Sequence, residues 1–160
     1  MITLADYFMG RDRAYQEDCT QEIRANAVLT VARVNLLLAA AEEEFVYPGT
    51  DEETHTQVAS GWRPRGLNAR TSNAATNSKH LTAQACDLQD TEGREFARWC
   101  LRNLEVLERI GLWMEAPRYT PSWVHVQTIP PGSGLRVYRP STATPIASLL
   151  PEELPEGASA

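Results

Sequence analysis

The sequence predicts an α+β fold, a single domain with a small, mostly antiparallel sheet and flanking helices. Two segments carry apolar residues at three- and four-residue steps, the pattern of helices that bury one face. Shorter apolar or alternating segments lie between and after them at irregular spacing, which argues against a repeating βαβ sheet. A chain of 160 residues fits one domain and can bury a core.

The N-terminal part of the chain is predicted to be helical. The first 18 residues mix aromatic and charged types, which indicates a short helix packed on the body of the protein. Thr20 or Asp18 can cap a long helix that runs to about Tyr47. Pro48 and Gly49 then end this helix.

The rest of the chain alternates strands with a second helix. Strands are predicted at residues 54–60, 85–88, 112–114, 123–127 and 136–138, the last as an edge strand. Asp90 or Thr91 can cap a helix from about Glu92 to Ile110, and Gly111 closes it. Residues 141–160 are rich in proline and small residues and are predicted to form a flexible tail, which leaves residues 1–140 as the folded domain.

Composition excludes several classes of protein. The net charge of −6, without a cluster of Lys and Arg, argues against nucleic-acid binding. No signal peptide and no apolar run of the ~20 residues of a membrane span are expected, so synthesis in a cytoplasm is predicted. The three cysteines lack CxxC spacing and are predicted to be buried free thiols.

His80, Asp87 and His125 are the candidate metal ligands. Seven residues rise about 10.5 Å in a helix and about 23 Å in a strand, so the chain between His80 and Asp87 must bend if both bind one ion. In the strand 123–127, His125 faces away from its apolar neighbours Val124 and Val126. Two imidazoles and one carboxylate form a zinc set with an open fourth position for water. The same ligands suit cobalt, nickel or manganese.

Each of these residues also has a purely structural interpretation. A histidine in a strand is commonly a hydrogen-bonded group, and Asp87 can cap a turn. The spacing alone leaves both interpretations open.

The motifs resemble a known family. Ser78, His80, Ala85 and Asp87 resemble the Ser-x-His-x-x-Gly-x-Ala-x-Asp signature of zinc D-alanyl-D-alanine carboxypeptidases and phage L-alanyl-D-glutamate endopeptidases, which share a fold with Hedgehog signalling domains. Residues 60–63, Ser-Gly-Trp-Arg, are similar to the Ser-Gly-Tyr-Arg segment upstream in that family. Residues 123–126 resemble its strand with the last zinc histidine. The first 50 residues and the segment after residue 140 add little to the resemblance.

The resemblance implies roles for individual residues. His80, Asp87 and His125 would bind zinc, with water as the fourth ligand. Arg63 would hold a substrate carboxylate through bidentate hydrogen bonds, although a structural salt bridge is an alternative. Ser78 would bind substrate or orient His80, or form a turn only. Trp62, together with Trp113 and Trp123, would line the substrate cleft, with core packing as the alternative.

The chain departs from the family pattern at two places. Ala83 replaces the signature glycine, which predicts that this residue avoids a left-handed conformation. The family places an acidic residue three or six positions before its last histidine, where this chain has Ser122 and Tyr119. Glu115, ten residues before His125, is the nearest carboxylate and is predicted to act as the catalytic acid and base from a neighbouring strand. A solvated glutamate at a strand end is the alternative.

The resemblance predicts a zinc metallopeptidase that cuts the peptide stems of bacterial peptidoglycan, as an endopeptidase or a carboxypeptidase. Residues 1–140 would be its peptidase domain. The size and the lack of a signal peptide and of a wall-binding domain resemble a phage lysis enzyme, an endolysin, that a holin releases; virion-associated and bacterial recycling roles are alternatives. A second hypothesis is a noncatalytic zinc-binding module of the same fold in a virion or in a cell-wall interaction. A monomer is favoured, and neither nucleic acid nor membrane is an expected partner.

Overall fold

Five strands form one sheet in the computed structural model of the chain, which describes residues 1–44, 57–72 and 74–140. The strands are β1 Val58–Ser60, β2 Ala85–Gln89, β3 Trp113–Glu115, β4 Trp123–Gln127 and β5 Val137–Tyr138. Their order across the sheet is β1-β2-β4-β3-β5. All neighbouring pairs are antiparallel except β3 and β5. The predicted α+β class, the mostly antiparallel sheet and the edge strand β5 are confirmed.

One face of the sheet belongs to the hydrophobic core. Residues that face each other across antiparallel strands point to the same side, and Leu88 faces Val124 while Cys86 faces Val126. All four side chains are fully buried, as is Met114 of β3, which also faces Val126. The alternate residues of β2, β3 and β4 therefore point to the opposite face, and that face carries the candidate site.

Two short helices and one long helix form the N-terminal part. They are α1 Leu4–Phe8, α2 Arg11–Ala14 and α3 Gln21–Glu42, so the first 18 residues hold two short helices rather than one. The Thr20 side chain accepts a hydrogen bond from the Ile23 amide, which confirms it as the cap of α3. The predicted end near Tyr47, with Pro48 and Gly49, lies outside the described residues.

Helix α3 is long and apolar enough to cross a membrane, judged by length and composition alone. This corrects the expectation that no segment reaches that length. One face of α3 lies in the protein core, as it does in a core helix. The buried residues of that face are Ala27, Thr30, Val31, Val34, Leu37, Leu38 and Ala41.

The prediction of one continuous helix from Glu92 to Ile110 is wrong, because the structure has two helices, α5 Glu95–Arg102 and α6 Leu104–Ile110. Asn103 separates them with a non-helical backbone, and its side-chain amide donates to the Trp99 carbonyl oxygen at 3.0 Å. Asparagine competes for backbone groups in this way and interrupts helices. The chain also forms a short helix, α4 Arg65–Asn68, that the sequence did not predict.

The residues predicted to cap and to end this helical segment do so in the structure. The Asp90 carboxylate accepts hydrogen bonds from the amides of Phe96 and Ala97, and the Thr91 hydroxyl accepts one from Glu95. Gly111 ends α6 in a left-handed conformation with φ of 77°. The three cysteines are buried and free, as predicted.

Candidate metal centre

His80 enters the site from the loop between α4 and β2. A turn holds this loop, in which the Ser78 hydroxyl accepts a hydrogen bond from the His80 amide at 3.3 Å. The imidazole is only 1% exposed, and its Nδ1 lies 2.7 Å from the carbonyl oxygen of Gly61. Because a carbonyl oxygen only accepts, Nδ1 carries the proton and Nε2 keeps its lone pair. A histidine in this tautomer can bind a metal through Nε2.

Asp87 and His125 face each other on the neighbouring strands β2 and β4. Their Oδ1 and Nδ1 atoms are 2.7 Å apart. The second carboxylate oxygen of Asp87, Oδ2, lies 3.2 Å from Nε2 of His80. The ligand atoms of the three residues all lie within 4.8 Å of one another, a geometry that can hold a metal ion. The third histidine of the chain, His55, lies outside the described residues.

One buried atom of this group has no hydrogen-bond partner. His80 Nε2 makes no hydrogen bond, although Asp87 Oδ2 is close to it. A lone pair and a carboxylate oxygen that face each other repel unless a cation lies between them. Burial lowers the pKa of His80 and the nearby charges of Arg63 and His125 lower it further, against the raising effect of Asp87, so a proton is not favoured as that cation. The donor set therefore fits a divalent metal ion.

The neighbouring imidazoles keep Asp87 ionised. Burial alone would raise its pKa, but the electrostatic effect of the two nearby imidazoles, His80 first, together with the hydrogen bond from His125, outweighs burial and holds the pKa well below its usual range. For His125, burial lowers the pKa, while the hydrogen bond to Asp87 and its charge raise it above the usual value. Asp87 is thus an anion at neutral pH, the state in which a carboxylate binds metal.

Glu115 ends β3 and lies on the same face of the sheet as the candidate metal ligands. In the β3–β4 register Trp113 faces Gln127 and Met114 faces Val126, so the next pair is Glu115 and His125. Burial raises the pKa of Glu115 and Asp87 adds to the rise, whereas the charges of His125 and Arg63 lower it. The predicted placement of Glu115 on a strand next to His125 is therefore what the structure shows. Tyr119 belongs to a short 3-10 helix, Pro117–Tyr119, between β3 and β4.

Arg63 brings a cation to the same site. Its backbone amide donates to the His80 carbonyl oxygen at 3.1 Å. Its half-buried guanidinium interacts electrostatically with Asp87 and Glu115, and burial lowers its pKa. The buried Nε has no hydrogen-bond partner, and no ion pair of Arg63 is found among the described residues. The structural salt bridge considered from the sequence is therefore not seen there, and the guanidinium retains donors for a ligand.

Trp62 is a core residue, which corrects its assignment as a substrate-binding residue. Its side chain is 1% exposed, and its indole Nε1 donates to the Leu81 carbonyl oxygen at 3.2 Å. The ring packs edge-to-face on Phe8, with centroids 6.0 Å apart. The core packing that the sequence analysis gave as the alternative is what the structure shows, and helix α1 supplies the packing partner Phe8. Trp113 and Trp123 are half-buried.

Ala83 adopts a left-handed conformation with φ of 55°, so the prediction that it avoids this region is wrong. Its side chain is fully buried, and its carbonyl oxygen accepts a hydrogen bond from the Thr30 hydroxyl at 2.8 Å. The turn that brings the chain from His80 into β2 needs this conformation. A residue with a Cβ bears a cost of about 1–2 kcal/mol there, which explains why a glycine suits this position of the signature.

The N-terminal segment supports the site in a way the sequence reasoning missed. The Tyr7 hydroxyl donates to the Ala85 carbonyl oxygen at 2.8 Å. A Cβ on Gly61 would overlap the carbonyl oxygen of Tyr7, so only glycine permits the contact. Arg11 donates through Nη1 to the Trp62 carbonyl oxygen at 2.8 Å. Gly61 is the sequence signal from which this close approach of two backbones could have been found, but the sequence analysis drew no such inference from it.

Comparisons of the chain with protein-family models, with curated proteins and with solved structures gave no match. A function for this protein must therefore be inferred from the residues of the site. What the site establishes is a buried group, His80, Asp87 and His125, that can hold a metal ion.

Proposed function

We propose that the protein is a zinc-dependent peptidase that hydrolyses the peptide stems of bacterial peptidoglycan, with the fold of the zinc carboxypeptidases and endopeptidases that its motifs resemble. One observation carries the proposal. The buried group of His80, Asp87 and His125 shares a sheet face with Glu115, which follows in register beside His125. A metal site with three protein ligands and an adjacent carboxylate is typical of metal-assisted hydrolysis.

The residues of the chain divide the chemistry among them. When bound, zinc polarises the scissile carbonyl and makes water more acidic. Glu115 takes a proton from the attacking water and passes it to the leaving amine, and the rise of its pKa through burial makes its carboxylate a stronger base for the first step. Gly61 fixes the tautomer of His80 through the 2.7 Å hydrogen bond. Arg63 holds a substrate carboxylate beside the site.

The biological setting belongs to the same proposal. Release through a holin would make such a peptidase a phage lysis enzyme. Virion-associated delivery is the alternative route. The flexible tail predicted for residues 141–160 lies outside the described residues.

Mass spectrometry of purified stem peptides, incubated with the zinc-loaded protein, tests the proposal. We expect a product that disappears with EDTA and with His125→Ala but persists with Asp18→Asn, an exposed carboxylate change. Loss of one D-alanine identifies a carboxypeptidase, and a new L-alanine terminus identifies an endopeptidase. A folded, zinc-loaded protein that yields no product would contradict the peptidase and leave the noncatalytic metal-binding module.

A further inference from the structure

We propose that Arg11 of α2 and Arg63 together form a paired guanidinium subsite that binds one carboxylate of the substrate beside the metal centre. This inference rests on the proposed function for the nature of its ligand, a peptide with a free carboxylate. It assigns a substrate-recognition role to the N-terminal segment, which the sequence motifs did not include.

The position of Arg11 is fixed by the backbone next to Arg63. Its Nη1 donates to the carbonyl oxygen of Trp62, the residue directly before Arg63, at 2.8 Å. Met9 and Gly10 both have left-handed backbones, with φ of 55° and 74°, and they turn the chain between α1 and α2. This turn is what places the first residue of α2 against the segment that carries Arg63.

The same segment is held firmly against α1. The backbone of Tyr7 packs on Gly61 so closely that no Cβ fits there, and the Phe8 and Trp62 rings are in edge-to-face contact. Arg63 in turn donates its amide to the His80 carbonyl oxygen. The Arg11 guanidinium and the backbones of Arg63 and His80 are therefore linked through adjacent backbone groups, so Arg11 is held next to the residue that precedes Arg63 before a ligand arrives.

Among the described residues, no carboxylate pairs directly with either guanidinium, although the charge of Asp87 acts on both of them at longer range. Neither arginine forms an ion pair there, both are half-buried, and Nε of Arg63 has no hydrogen-bond partner. Burial lowers the pKa of Arg11, and the charge of Arg63 lowers it further. Because arginine stays charged at any working pH, the two cations repel each other in the free protein, and an anion bound between them relieves this repulsion.

A carboxylate fits this arrangement. Its two oxygens accept bidentate hydrogen bonds from guanidinium groups, and such charge-assisted bonds are the strong ones in proteins. The two cations also offset the negative charges of Asp87 and Glu115, in a chain of net charge −6. They would thereby allow an anionic peptide to approach an acidic site.

Arg11 has one competing role, a purely structural one, in which it only ties α2 to Trp62. Selectivity for a carboxylate separates the two roles, because a structural tie affects acid and amide ligands alike. The probe is a stem peptide in its free-acid form, together with versions in which each carboxylate is amidated in turn. Binding is measured by calorimetry on the zinc-loaded Glu115→Gln protein, which prevents turnover.

We expect one amidated version to bind at least about tenfold more weakly than the free acid, since hydrogen bonds to charged groups are worth about 1.5–3 kcal/mol. Arg11→Gln should abolish the preference for the free acid over this amidated version and leave the affinity for the amidated version unchanged. Arg13→Gln, an exposed change on the same helix, should keep the preference. Arg11→Lys, which retains a donor for the Trp62 carbonyl oxygen, should keep the fold and lose part of the preference.

Three results would overturn the subsite: no binding of the free acid, equal binding of acid and amides, or a preference for the acid that is undiminished in both Arg11→Gln and Arg11→Lys. If Arg11→Gln does not fold by circular dichroism, Arg11→Lys alone decides. Failure of the peptidase proposal is distinct. Acid-selective binding that depends on Arg11, without hydrolysis by the zinc-loaded native protein, sustains the subsite and overturns the peptidase. Hydrolysis of stem peptides by the native protein, together with binding of the free acid that does not depend on Arg11, sustains the peptidase and overturns the subsite.

Discussion

The carbonyl oxygen of Gly61 decides which nitrogen of His80 can bind a metal. It accepts a hydrogen bond from Nδ1, with the two atoms 2.7 Å apart, and this leaves the lone pair of Nε2 facing Asp87. Asp87 contributes one oxygen toward each imidazole. The three ligands therefore act as one unit, and loss of any of them leaves buried polar groups without a partner.

The first prediction concerns metal binding. His125→Ala and Asp87→Asn should each weaken zinc binding by more than the roughly 10–100-fold typical of outer partners, because they remove a direct ligand. Isothermal titration of the metal-free protein with zinc measures the effect. Asp18→Asn serves as the matched carboxylate control, and a variant of Asp87 that binds zinc as tightly as this control would show that the group is not the metal site.

The second prediction concerns catalysis. Glu115→Gln should lower kcat by about 10²–10⁴-fold, the usual contribution of a general acid–base group, with zinc content unchanged. Product formation from stem peptides by the zinc-loaded variant is the measurement. Glu108→Gln, an exposed change on α6, should leave the rate as it is. Equal rates for the native protein and Glu115→Gln would assign the proton transfers to another group.

The third prediction uses the raised pKa of Glu115, which burial causes. A carboxyl whose pKa is higher in the folded than in the unfolded state costs stability above the unfolded pKa, and the cost vanishes below it. Glu115→Gln should therefore raise the melting temperature of the metal-free protein near pH 7. The gain should disappear as the pH falls below the ordinary range of glutamate. A gain that is the same at pH 3.5 and pH 7 would mean that charge is not its cause.

At the scale of elements, the turn between His80 and β2 depends on one left-handed residue. Ala83 is fully buried there with φ of 55°. Its position determines how the chain leaves the metal ligand and enters the strand that carries Asp87. The packing of α3 on this turn, through Thr30 and the Ala83 carbonyl oxygen, stabilises it.

The fourth prediction follows from this turn. Ala83→Gly should change the free energy of unfolding by less than about 1 kcal/mol, because relief of about 1–2 kcal/mol of strain offsets the loss of a buried methyl group. Ala83→Val should cost at least about 2 kcal/mol, from overpacking and from a β-branched side chain at positive φ. Urea unfolding measures both.

Ala97→Gly is the control for this pair, since Ala97 is equally buried but lies in the right-handed helix α5. It should cost about 2 kcal/mol, the sum of helix propensity and a lost methyl group. If Ala83→Gly costs as much as Ala97→Gly, the left-handed backbone of Ala83 carries no strain worth relieving.

At the scale of the whole molecule, the metal centre joins parts of the chain that are far apart in sequence. His80 comes from a loop, Asp87 from β2 and His125 from β4, and Gly61 and Tyr7 bring β1 and α1 to the same place. The ligands meet only in the folded protein. A metal ion bound by this group would therefore couple its binding to folding.

The fifth prediction tests this coupling. Zinc at about 100 times its dissociation constant should stabilise the protein by about 2.7 kcal/mol, which raises the melting temperature by roughly 5–10 °C for a chain of this size. EDTA should reverse the shift. His125→Ala should melt at the same temperature with and without zinc, and a native protein that behaves like this variant would have no metal site.

The local sequence determined most of the elements. Alternation placed His125 opposite Val124 and Val126, and the Thr20 cap and the Gly111 stop mark helix ends as expected. Such signals are local, because capping and periodicity depend on neighbours a few residues away. The residue types and spacing of His80, Asp87 and His125 left metal binding and a purely structural role both open, the resemblance to zinc peptidases favoured metal binding, and the structure brought the three residues together.

Only the tertiary structure decided which side chains face the core and which face the site. Trp62 is buried because α1 packs on it. Ala83 adopts a left-handed conformation because the chain turns there from the His80 loop into β2. Arg11 lies near Arg63 because the backbones of Tyr7 and Gly61 meet. These contacts join residues up to some fifty positions apart. Local propensity does not encode such pairs, since the packing of complete elements selects them.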